Sequence, residues 1–292
     1  MTVMDIINKN TVYTLLRDTI YAYIQDEALT RGAAVAYYTV TSLGPILVIV
    51  VAVAGLAFGQ DAAQGAIVQQ LTGLMGQQSA ELVQSALRGA SGLSSGLLAG
   101  AVGLIALLVT ASGVFVEMQT ALNVIWRAQP KGDTITRMIR ARAASLGLVA
   151  TLGFLLLVSL VISAILSAIG SYIDRVIPFG HVILRIIYLA VSFALVAAMF
   201  AAIYKVLPDR EIAWRDVRLG AIVSAVLFTI GKYLISLYIG SSAIVTSYGA
   251  AASVIVMLIW LYYSAQIFLV GAVFTKVYAM RRGSRTGQAS PS

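Results

Sequence analysis

Lys232 is the residue whose setting most demands chemistry. It stands in the apolar run GKYLISLYIG at 231–240, and a lysine inside a membrane span costs about 2.5 to 3.5 kcal/mol on insertion scales unless it faces a bundle interior or a water-filled cavity. Its helical neighbours Phe228, Thr229, Ile235 and Ser236 supply hydroxyls and no carboxylate, so a counter-charge must come from another helix or from a ligand. Two readings are open: a cation that answers an anionic, lipid-like substrate, and a side chain that snorkels to the lipid interface.

The second concentration of polar groups is FVEMQTALNVIW at 115–126. Gln119, Asn123 and Trp126 follow i, i+4, i+7 and share one helical face, whereas Glu117 is rotated away from it. One reading has Gln119 and Asn123 hydrogen-bonding across helices, with Trp126 anchoring the interface. In the other, Glu117 and Asn123 join Tyr37, Tyr38 and Tyr248 in lining a cavity around Lys232. Pro45 follows Gly44 in the same apolar run as the two adjacent tyrosines, and its missing N–H is expected to kink that helix.

Other chemistries lack their residues. The chain has no cysteine and one histidine, His181, so zinc and thiol sites have no donors. Ser247 and Ser253 have no base at helical spacing, and no HExxH, P-loop or paired-carboxylate array occurs. No catalytic residue, no metal and no cofactor is expected, and the reading is not an enzyme.

The elements that must hold these residues follow from composition. Of 292 residues, 60% are hydrophobic and 11% charged, with a mean hydropathy of +0.91, against roughly 25% charge in soluble domains. That excludes a soluble globule and a disordered chain, and the period of the apolar runs excludes a β-barrel. A bilayer core of about 30 Å needs about 20 helical residues. Six runs qualify, at about 33–58, 96–118, 143–170, 183–204, 218–240 and 249–275. The expected fold is all-α: one domain over 1–282 with six transmembrane helices, an amphipathic N-terminal helix within 3–30 and short external helices within 60–95. A disordered tail is expected at 283–292. The first span is expected to serve as an uncleaved anchor, with no cleavable signal peptide before it.

The net charge of +8 does not imply nucleic acid, because the basic residues lie between the apolar runs. With the N-terminus inside, sixteen of the twenty Lys and Arg fall on the cytoplasmic side and only Arg88, Arg175 and Arg185 fall outside, Lys232 being within a span. Positive residues are retained in the cytoplasm, so both termini are expected there.

Three segments in order, AVAYYTVTSLGPILV at 34–48, GVFVEMQTALNVIW at 113–126 and the run from GKYLISLYIG to FTKVYA at 231–279, resemble the YihY, or virulence factor BrkB, family of bacterial inner-membrane proteins. The resemblance covers about 28–281. It implies a six-helix protein of the bacterial cytoplasmic membrane with a connection to envelope and lipid biology. The family's old label of ribonuclease BN fits poorly with a chain that lacks metal ligands and an acid–base pair. After Gly271-Ala272 the family usually carries a glutamate where this chain has Val273, which removes a candidate carboxylate partner for Lys232. The leading expectation is a transporter or binder of an anionic lipid-like substrate. The alternative is a membrane scaffold whose basic loop at 127–142 and amphipathic N-terminus organise anionic lipids or envelope protein partners.

Overall fold

A computed structural model describes residues 9–59, 97–128, 180–241 and 252–284, with scattered helical positions between 61 and 85. The expected span at 143–170, most of the basic loop at 127–142, Tyr248 and residues 285–292 lie outside the described residues.

The long helices are α1 (Lys9–Gln25), α2 (Ala28–Phe58), α3 (Leu97–Ile125), α4 (Gly180–Val206), α5 (Trp214–Ser241) and α6 (Ala252–Arg281). Among the described residues three stretches are long and apolar enough to cross a membrane: Ile186–Val206, Trp214–Ile235 and Val254–Arg281. No strand occurs among the described residues, in keeping with the all-α expectation.

The helices overrun the apolar runs that announce them. α2 begins at Ala28, α3 continues to Ile125 and α6 continues to Arg281, beyond the expected limits of 33, 118 and 275. A hydropathy run stops at its first charge, but a helix stops only where its backbone groups find other partners. α1 ends at Gln25, and Glu27, in a left-handed conformation (φ 51°), immediately precedes α2. α3 ends on Arg127, also left-handed (φ 46°), with the Arg127 N–H donating to Val124 O at 3.0 Å and the Ala128 N–H to Asn123 O at 2.8 Å. Glycine normally fills that position, so neither terminus carries its usual sequence signal.

α6 is the central helix. It packs against α5, α2, α1 and α3, while α2 pairs with α3 and α4 with α5. α5 and α6 run antiparallel in a tight register set by small residues: a side chain at Gly220 would strike Thr275, one at Gly271 would strike Ser224 and Tyr204, and one at Gly231 would strike Tyr263. Where the backbones meet, the Tyr204 hydroxyl donates to Phe268 O at 2.7 Å and lies 2.8 Å from Ser224 Oγ. These bonds satisfy polar groups that lipid would leave without partners. The small residue Gly271 is what allows this close approach. The main apolar cluster gathers Leu122, Trp126, Phe200, Leu269 and Val273. A second, with Leu47, Val50, Ile235, Met257 and Trp260, lies toward the other end of α6.

Candidate functional site

Lys232 lies on α5, half-buried, fourteen residues past Arg218 and therefore about 21 Å along the helix axis from it. No salt bridge among the described residues involves Lys232. Its level on α6 is marked by Tyr263, which packs over the neighbouring Gly231. Val273, ten residues further along α6, is fully buried in the main apolar cluster. Ten residues are about 15 Å of helix, more than a lysine side chain spans, so a carboxylate at 273 would not reach Lys232.

Glu117 is half-buried on α3 and also forms no salt bridge among the described residues. Ser42 against Thr110, Gly32 against Gln266 and Gly231 against Tyr263 place Glu117 and Lys232 at similar depths on helices that each pack on α6. Tyr37 and Tyr38 meet edge to face at 5.7 Å and are 63% and 41% exposed, so they face outward from the described bundle. Pro45 lies inside α2, which continues to Phe58; its ring denies Thr41 O the usual helical donor.

Asn123 and Gln119 have a specific engagement. The Asn123 amide donates to Asp209 Oδ2 at 2.7 Å and its Oδ1 accepts from the Asp209 N–H at 2.8 Å. Gln119 donates to Asp209 Oδ1 at 3.3 Å. This face does hydrogen-bond, but its partner is the α4–α5 connection and not another helix. Trp126, expected at the interface, is instead 1% exposed in the main cluster, while its carbonyl accepts from Arg210 at 2.7 Å. The connection is closed by Lys205, which donates to Ile212 O at 2.6 Å and lies over the Trp214 ring.

Three further carboxylates at this end were not singled out by sequence. Asp26 pairs with Lys276 at 2.9 Å, their side chains only 10% and 8% exposed. Asp18 pairs with Arg281 and, at 3.2 Å, with Arg17. Asp216, fully buried in the first turn of α5, accepts from Ser284 Oγ at 2.6 Å and from the Ser284 N–H. Gly283 and Ser284, the first residues of the expected tail, are therefore held against the bundle. The one signal for Asp216 is an acidic residue just after the helix start, where the backbone dipole favours it; Asp18 and Asp26 carry none.

Elsewhere on α1 the Tyr23 hydroxyl donates to Gln266 Oε1 on α6, whose amide donates to Leu29 O at 3.3 Å. Burial, and after it the nearby Tyr262, pushes the Tyr23 hydroxyl up to about 12. Among the described residues no group of three His, Asp or Glu gathers to hold a metal.

The family model for virulence factor BrkB matches residues 19–292. A UPF0761 membrane protein of Verminephrobacter eiseniae is 32% identical over 253 residues, covering 84% of this chain and 57% of its own. One from Methylibium petroleiphilum is 30% identical over 254 residues, 85% of this chain and 58% of its own. One from Rhodospirillum centenum is 24% identical over 95% of this chain and 60% of its own. The chain thus spans about three fifths of the length of these curated relatives. No solved structure matches.

Proposed function

The chain belongs to the virulence factor BrkB family of membrane proteins, and from that premise we propose that it binds, and carries across its membrane, an anionic lipid-like molecule whose charge is answered by Lys232. The observation that carries this reading is the contrast in cation partnering. Lys276 and Arg281, at the end of α6, meet carboxylates, whereas Lys232, about 21 Å along α5 from Arg218, meets none among the described residues. An intramembrane cation retained at that cost calls for an anion, and a phospholipid headgroup or a related amphiphile supplies one where water does not. Tyr37, Tyr38, Glu117 and Tyr248 remain candidates for its surroundings. Asn123 serves first to hold Asp209. The reading is non-enzymatic and places the protein in the bacterial cytoplasmic membrane with six spans and both termini inside.

The alternative, a scaffold acting through its basic cytoplasmic side, is favoured by the exposed arginines Arg127, Arg215 and Arg218. Proteoliposome assays separate the two. Lys232→Met and Lys232→Ala are expected to abolish transbilayer movement of a fluorescent anionic phospholipid while charge reversal at Arg215 and Arg218 leaves it intact. Unchanged movement in both Lys232 variants removes the transport reading.

A further inference from the structure

The face of α1 that turns away from the bundle has the wrong chemistry for water. Of the eight exposed positions between 12 and 25, only Arg17 and Gln25 are polar; the others are Val12, Tyr13, Leu16, Ile20, Tyr21 and Ile24. The opposite face is committed to the protein, with Leu15 and Thr19 buried and Tyr23 bonded to Gln266. The pairs Asp18–Arg281 and Asp26–Lys276 fix α1 on α6, so the outward face cannot turn inward without breaking both. The apolar surface continues onto α2 through Leu29 and Tyr37, also exposed.

We propose that this face of α1 docks on the lipid surface of the membrane at the basic end of the bundle, seated at the headgroup boundary among anionic lipids. Arg17 and Gln25 on the same face keep the helix out of the hydrocarbon centre, and two tyrosines among aliphatic residues suit the boundary itself. Charge selects lipid over the other occupants. Exposed Arg17, Arg127, Arg215, Arg218 and Arg281 surround this end and outnumber the exposed Glu27 and Glu211. That collar attracts anionic headgroups and repels a second copy of itself. It also disfavours cover by the chain's own 129–142, which carries Lys131, Arg137, Arg140 and Arg142. The surface is separate from Lys232 and does not depend on the transport reading.

The chain has no cysteine, so single-cysteine variants of the full protein can be labelled with an environment-sensitive fluorophore and reconstituted in vesicles. Leu16→Cys and Ile20→Cys occupy exposed positions that leave the packed face untouched. Acyl-brominated phosphatidylglycerol is expected to quench both probes by at least about half, and more than brominated phosphatidylcholine at the same mole fraction, the difference shrinking as salt rises. Equal quenching by the two lipids would overturn the anionic preference. A blue-shifted probe that neither lipid quenches would show the face covered by protein, and a water-like spectrum would show it solvated; either overturns the docking.

Discussion

The basic end of the bundle and the level of Lys232 treat charge in opposite ways. At the basic end carboxylates meet their partners: Asp26 meets Lys276, Asp18 meets Arg281, Asp209 meets two amides and Asp216 meets Ser284. These links tie α1 and the first turn of α5 to the C-terminal end of α6, and α3 to the α4–α5 connection. About 21 Å along α5 from Arg218, Lys232 sits half-buried with no salt bridge among the described residues, and Glu117, about 9 Å along α3 from Asn123, has none among them either. The carboxylates that hold helices together find their partners within the fold; under the proposed reading Lys232 finds its counter-charge in the substrate.

That comparison breaks most visibly at the buried ion pair. Lys276→Met strands the Asp26 carboxylate, and removing one partner of a buried pair costs about 3 to 5 kcal/mol. Thermal unfolding in detergent should show the loss, with much of it restored in the Asp26→Asn, Lys276→Met double variant. Asp209→Ala leaves the Gln119 and Asn123 amides without their acceptor and is expected to cost about 1 to 3 kcal/mol, read as a lower unfolding midpoint without loss of helicity. A Tyr23 probe sharpens the picture in pH. Because the folded-state hydroxyl is raised from 10.0 to about 12, its contribution is intact below pH 10 and is lost as pH rises from about 10 to 12. Tyr23→Phe should flatten that part of the alkaline stability profile. The smallest effect on stability is expected from Lys232→Met, within about 0.5 kcal/mol, since it breaks no salt bridge among the described residues.

The three candidate spans, expected at about 183–204, 218–240 and 249–275, were legible from apolar length alone, because length and composition are what a membrane span requires. The ends of the helices were not. Glu27 and Arg127 follow helices in the left-handed conformation that glycine usually marks, and the helical start of α5 at Trp214–Arg218 carries Asp216, whose partner Ser284 lies sixty-eight residues away. The shared face of Gln119 and Asn123 was readable from spacing, but its acceptor, Asp209, was not, since a carboxylate in a short connection looks like ordinary loop polarity. Trp126 was read as an interface anchor because tryptophan favours that depth; the closure of the α4–α5 connection over it through Arg210 places it inside instead. Lys232 stood out from sequence because its cost is local, whereas the absence of a salt bridge to it among the described residues could be read only from the assembled helices.

The most direct measurement is native mass spectrometry of wild type, Lys232→Met and Arg215→Gln protein extracted gently from the membrane. The account predicts a defined anionic lipid retained by wild type and Arg215→Gln and lost from Lys232→Met at unchanged stability. Identical lipid profiles in all three would contradict it and leave Lys232 as a snorkelling residue.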